Sequence, residues 1–129
     1  MAYPANYRYT REHEWIDVNG SSASVGITVH AQDSLGDIVF VELPRVGAKV
    51  EKGKVFGSVE SVKAVSDLYA PATGTVAAIN EELTTAPEKI NADAHAAWIM
   101  KIDLSDPSEI HSLMSAEAYE SYVKEETGH

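Results

Sequence analysis

The chain has 129 residues, 44% of them hydrophobic, which is enough for one sizeable core and excludes disorder over most of its length. Its 10 Lys and Arg stand against 20 Asp and Glu, and the net charge of −10 argues against binding nucleic acid or an anionic membrane, since both need a basic face. With no cysteine there is no disulfide framework, no thiolate metal site and no Cys nucleophile.

In chain order, the opening segment 1–15 shows neither the apolar core of a signal peptide nor the pattern of a transit peptide. No apolar run approaches the roughly 18–20 residues of a membrane-crossing helix. After the turn residues Asn19-Gly20, a strand is expected over 23–27. Thr28 is placed to N-cap a helix over Val29–Leu35, and Gly36 to end it. Strands rich in Val, Ile, Phe and Tyr follow at 37–43, 55–60, 65–70, 75–80 and 98–102. Leu43-Pro44, Glu51-Lys52-Gly53 and Pro71-Ala72-Thr73-Gly74 punctuate them, and Gly74 is expected at a tight turn whose backbone disfavours a side chain. A spacing of about ten residues per strand suits a small, mainly β sandwich or barrel rather than βαβ units. Val46-Gly47 and Gly53 lead into Val55 much as Pro71 and Gly74 lead into Thr75, an echo that suggests a quasi-symmetric flattened barrel. Asp106-Pro107-Ser108-Glu109 opens a helix over 107–114. Ser115 then caps a helix over Ala116–Glu126, with Tyr119 and Val123 on one face. Residues 103–129 hold seven acids and one base, whereas 45–63 hold five bases and two acids, so two surfaces of opposite sign are expected.

The informative stretch runs from Gly57 to Gly74. Two strand patterns flank a short polar link with one lysine, so Lys63 projects from a hairpin tip between small neighbours. That geometry serves a swinging-arm carrier, because a rigid sheet fixes the base while a long side chain gives reach. An enzyme reading finds no support. The histidines His13, His30, His95, His111 and His129 show no close metal-ligand spacing, and His13-Glu14 is not followed by a second His as in the zinc proteases. No phosphate loop or nucleophile elbow is present, so no catalytic residue and no metal site are expected.

The segment Glu60-Ser61-Val62-Lys63-Ala64 followed by Ala70-Pro71 and Gly74, together with Leu35-Gly36-Asp37-Ile38-Val39-Phe40-Val41-Glu42-Leu43-Pro44 and His13-Glu14-Trp15, closely resembles the H proteins of the glycine cleavage system, a family of lipoyl carriers. The resemblance covers nearly the whole chain. It implies a barrel-sandwich hybrid of the lipoyl/biotinyl-carrier type, with two antiparallel sheets, a short N-terminal-side helix and C-terminal helices. It further implies a single domain, with a lipoyl-binding core over about 23–104 and a helical extension over about 106–126. Lys63 is then the attachment point of lipoate, held as N6-lipoyllysine in a hairpin of Glu60, Ser61, Val62 and Ala64. The implied partners are glycine decarboxylase (P protein), which loads an aminomethyl group, the aminomethyltransferase (T protein), which receives it, dihydrolipoyl dehydrogenase (L protein), which reoxidises the arm, and the lipoate-attaching enzymes. The carrier is expected to be a monomer with no catalytic group of its own.

Between stations the loaded arm of this family folds into a cleft, where a carboxylate holds its amine and apolar walls exclude water. By position, Glu14 and Asp67 are the candidate carboxylates, Ile27, Ala31, Leu35 and Ala64 the walls, and His30 and Ser34 polar contacts. The chain departs from the family pattern at Asn91-Ala92-Asp93-Ala94-His95-Ala96-Ala97-Trp98, which is one residue short and lacks a Pro, a Tyr and a Gly, so the conformation of that loop is open. Two related readings share the hairpin: a lipoyl relay donor to the 2-oxoacid dehydrogenase complexes, and a biotinyl carrier, whose lysine usually lies between methionines where Val62 and Ala64 stand here. Met1 without a transit peptide suggests a bacterial cytoplasmic protein, with the mitochondrial matrix as the setting of a processed eukaryotic form.

Overall fold

A computed structural model describes residues 3–126. In chain order these form β1 (Arg8–Tyr9), β2 (Glu14–Asn19), β3 (Ser22–Ile27), α1 (Val29–Leu35), β4 (Ile38–Glu42), β5 (Lys49–Val50), β6 (Val55–Ser61), β7 (Val65–Tyr69), β8 (Gly74–Ile79), α2 (Glu82–Thr85), α3 (Lys89–Ala92), β9 (Met100–Leu104), a 3-10 helix (Pro107–Ser112) and α4 (Ala116–Glu126). A six-stranded sheet has the order β1-β2-β3-β9-β8-β5, and a three-stranded sheet has the order β4-β6-β7. Every strand pair is antiparallel.

The inward residues of the two sheets build the core by period-two alternation. Ile27, Ile38, Val41, Val59 and Leu68 pack with Leu35 of α1, Leu83 of α2 and Ile90 of α3. Ile16, Val25, Val50, Val76, Met100 and Ile102 form a second cluster, and Phe56 packs against both. A third cluster is aromatic. The rings of Tyr9 and Tyr119 stack at 4.8 Å, so the buried face of α4 closes on the start of the chain. Trp15 pairs with Gly26 across β2 and β3, and its ring occupies the place of a side chain there, 2.5 Å from where a Cβ would stand.

The expected strands appear close to their expected bounds, and β9 lies two residues later than 98–102. The first helix is as read: the Thr28 hydroxyl oxygen accepts the Ala31 N–H at 3.2 Å, and Gly36 ends the helix at φ +79°. The short strands β1 and β5, the strand β2 and the one-turn helices α2 and α3 lie outside the elements expected from the sequence. The helix expected over 107–114 is instead a 3-10 segment that stops at Ser112, because Met114 exchanges 2.9 Å backbone hydrogen bonds with Tyr9 at the edge of the large sheet. The Glu109 carboxylate holds that segment down by accepting the Thr73 N–H at 2.7 Å and the Thr73 hydroxyl at 3.0 Å. The two echoing glycine-rich segments pair with each other, Gly47 N–H donating to Val76 O at 2.8 Å.

Gly74 is required for a different reason from the one expected. It opens β8 rather than a tight turn, and its φ is not in the left-handed region. A Cβ there would collide with the carbonyl oxygen of Asp103 on β9. Gly74→Ala should therefore cost about 1–3 kcal/mol, the usual penalty of overpacking against backbone. Urea denaturation of both proteins checks this, and an unchanged midpoint would show that β9 yields without cost.

Candidate functional site

The hairpin of β6 and β7 pairs from Val55 and Tyr69 to Glu60 and Val65, which leaves 62–64 as its tip. Ser61 shapes that tip. Its hydroxyl oxygen accepts the N–H groups of Lys63 at 3.2 Å and Ala64 at 3.1 Å, while its own N–H donates to Ala64 O at 2.8 Å. One side chain thus satisfies backbone donors that a tight tip leaves without ladder partners.

The tip also leans on the rest of the fold. Val62 N–H donates to Asp37 O at 3.1 Å. The segment carrying that carbonyl is clamped by Asn91, whose Oδ1 accepts the Ile38 N–H at 2.9 Å and whose Nδ2 donates to Gly36 O at 2.8 Å. Lys63 is exposed, and its Cε lies 3.5 Å from where a Cβ on Gly36 would stand, so its stem passes the glycine that ends α1. Val62 and Val65 flank it at 70% and 67% exposure. Glu60 lies on the outer face of the small sheet, in register with Phe40 and Val65, and Phe40 is itself half exposed. Ala64 is exposed at the tip.

The cleft candidates occupy several places. Glu14 is buried to 1% exposure, with Thr10 Oγ1 donating to one carboxylate oxygen at 2.6 Å and Tyr69 N–H to the other at 3.1 Å. The bond to Tyr69 crosses from the large sheet to the small one. Burial pushes the Glu14 carboxyl up to about 7, against the pull of these two hydrogen bonds. Ile27, in register with Glu14, and Leu35 are core residues. Ala31 packs against that core, and Ser34 is exposed on the same helix, whose C-terminal end abuts Lys63. Asp67 is exposed on the outer face of β7, in a groove with Glu42, Leu43, Val55, Phe56, Gly57 and Ser58. His30 turns elsewhere, its ring 4.6 Å from that of His13 and its Nε2 3.6 Å from Glu126.

The clamp made by Asn91, the first residue of the altered loop, joins groups more than fifty residues away and has no local signature. The sequence also leaves open the shortened loop. There His95 Nε2 accepts the Val29 N–H at 3.2 Å, Tyr7 donates its hydroxyl to His95 O at 2.9 Å, and Trp15 Nε1–H donates to Ala94 O at 3.0 Å. A side-chain cap from a histidine on a separate loop leaves no local signature, so no sequence pattern announces it.

With this geometry in view, comparison with known proteins is decisive. The model of the glycine cleavage H-protein family matches residues 7–126. The chain belongs to that family. It is 75% identical over 129 residues to the glycine cleavage system H protein of Acidobacterium capsulatum, covering 100% of both chains. The corresponding protein of Koribacter versatilis is 64% identical over 129 residues, again with 100% of both chains covered. The crystal structure of a glycine cleavage system H protein from Mycobacterium marinum superposes with a TM-score of 0.84 at 36% identity, covering 97% of this chain and 99% of that one. The fold is accordingly the barrel-sandwich of the lipoyl carriers, and the chain is a carrier component of the glycine cleavage system rather than a catalyst.

Two substitutions test this construction. Ser61→Ala removes the acceptor of two tip N–H groups and should cost about 1–2 kcal/mol, measured by urea denaturation. An unchanged midpoint would mean that the tip keeps its shape without Ser61. For Glu14 the raised value means that the folded state binds the proton more tightly than the unfolded chain. The resulting stability is full below the ordinary value of 4.5 and is lost as pH rises through about 7. Glu14→Gln should remove this dependence, so that the stability of the variant relative to the parent rises by roughly 3 kcal/mol between about pH 4 and pH 8. The same stability difference at both pH values would place the Glu14 carboxyl at its ordinary value.

Proposed function

We propose that Lys63 carries lipoate as N6-lipoyllysine and that the hairpin presents it in turn to the P, T and L proteins, after a lipoate-attaching enzyme has modified it. The observation that carries this reading is an exposed lysine at the three-way junction of a clamped tip, the end of α1 and an apolar outer face. Amide formation needs an accessible amine, and among the described residues no hydrogen bond or ion pair engages the Lys63 ammonium. When bound, the lipoyl group supplies the dithiolane chemistry that takes up, carries and releases the aminomethyl group and the electrons.

The chain's own residues supply the base and the docking face. Ser61 and Asn91 keep the attachment point from drifting, so that the motion is confined to the arm. Gly36 leaves room for the lysine stem. Val62, Val65 and Phe40, with the carboxylates of Glu60 and Asp67 on the same face, offer a modifying or partner enzyme an apolar contact bordered by negative charge. On this face Asp67 is a carboxylate that can meet a cationic amine directly, whereas Glu14 can do so only by giving up its bond from Thr10 or Tyr69. The surface beside α1, at Ala31, Ser34 and Ala64, is the nearest shelter for the arm. The bacterial sources of the relatives support a cytoplasmic setting.

Intact-mass analysis of the protein from its native host, with peptide mapping, should find lipoyl on Lys63. Lys63→Arg keeps the charge but removes the primary amine. It should fold with the parent's melting temperature, gain no lipoyl mass and support no glycine decarboxylation in the reconstituted system. Lipoyl mass on the Arg variant would move the attachment site to another lysine.

A further inference from the structure

A second cluster of chemistry-bearing side chains lies outside the carrier hairpin. His13 comes from the turn between β1 and β2, His30 from the first turn of α1, and Glu126 from the end of α4. One donor atom from each of the three lies within 4.8 Å of the other two. The Nε2 atoms of His13 and His30 stand 2.8 Å and 3.6 Å from the same Glu126 oxygen. We propose that His13, His30 and Glu126 form a site for a divalent transition-metal ion of the zinc class, which fastens α4 to the β1–β2 turn and to α1.

The spacing fits such an ion. Tetrahedral bonds of about 2.0–2.2 Å hold ligand atoms roughly 3.3–3.6 Å apart; Glu126 stands 2.8 Å from one imidazole and 3.6 Å from the other, with all three donor atoms within 4.8 Å, so small side-chain rotations bring them to that spacing. Two imidazoles and one carboxylate favour zinc and its neighbours over magnesium or calcium, which prefer all-oxygen shells. One coordination position stays open to water.

The surroundings are those of ligands whose orientation is set from behind. His13 Nδ1 lies 2.7 Å from the Tyr119 hydroxyl, which lies 2.8 Å from Thr28 Oγ1. With Nδ1 held by Tyr119 and Tyr119 by Thr28, the ion takes the place of the proton that His13 Nε2 donates to Glu126, and that proton is released to solvent. The Tyr122 hydroxyl stands 2.9 Å from both the second Glu126 oxygen and Arg11 O, so its one proton is shared between them at the edge of the cluster. His13 itself sits at φ +71°, a conformation uncommon for a residue with a side chain. The histidine side chains are 17% and 19% exposed, sheltered yet reachable from solvent, and Glu126 at 43% is the open edge.

This site does not depend on the carrier reading, and its test needs no lipoyl assay. The probe is Zn2+ added to the untagged full-length chain after chelator treatment, followed by calorimetry. One equivalent should bind with micromolar affinity or better and raise the melting temperature, while Mg2+ does neither. His30→Ala and Glu126→Gln, both at partly exposed positions, should each weaken Zn2+ binding at least about tenfold. His111→Ala, on an exposed histidine outside the cluster, should leave it unchanged. Equal affinity in the parent and the two cluster variants, or no binding at millimolar Zn2+, would overturn the proposal. Should a variant fail to fold, Co2+ bound to the parent decides: intense tetrahedral absorption bands support the site, and the weak octahedral spectrum of aqueous cobalt rules it out.

Discussion

A single buried carboxylate ties the two sheets together. Glu14 accepts from Thr10 within the large sheet's first turn and from Tyr69 on the last strand of the small sheet. The hairpin that carries Lys63 is therefore fastened at its far end to the strand on which Trp15 and Ile16 enter the core. Among the described residues no cation stands beside this carboxylate, and burial pushes it up to about 7. An apolar residue in its place would leave the Tyr69 N–H without its acceptor, so the cost of burying the acid is set against the cost of an orphaned donor.

From that tie the function follows as a division of stiffness. The base of the hairpin is held by Glu14, its middle by the ladders to β4 and across β6 and β7, and its tip by Ser61 and the Asn91 clamp. What is left free is the lysine side chain. With Lys63 as the proposed attachment point, this arrangement confines motion to the arm, because positional error in the base would be carried to its far end. The exposed apolar residues around the tip are tolerable on a chain with net charge −10, whose like charges keep copies apart.

The C-terminal helix belongs to the same economy of contacts. Its buried face is Tyr119, which stacks on Tyr9 and reaches Thr28 and His13 by its hydroxyl. Glu126 at the end of the helix meets both histidines. The acidic character of this part of the chain is thus not uniformly solvated: Glu109 is consumed in holding Thr73, and Glu126 in facing imidazoles.

Local chemistry was legible in the sequence wherever one short segment contained its own explanation. Thr28 and Gly36 bracket a helix because cap and stop lie within it, and Lys63 reads as a tip because apolar strands flank it on both sides. The strand β2 escaped notice because it opens on an acid and holds another, and a strand beginning with a buried Glu makes sense only once Thr10 and Tyr69 are beside it. Gly74 stands out in the sequence as a turn residue, but the clash that requires it comes from Asp103, distant along the chain. His13, His30 and Glu126 are far apart along the chain, so no ligand spacing could show them. The sequence by itself determined the first and last helices, the strands of the carrier hairpin and its neighbours, the Thr28 cap and the lysine that projects, because these rest on neighbours along the backbone. Only the tertiary structure decided which carboxylate is buried, which glycine is crowded and which histidines meet, because each of those depends on groups that folding alone brings within bonding distance.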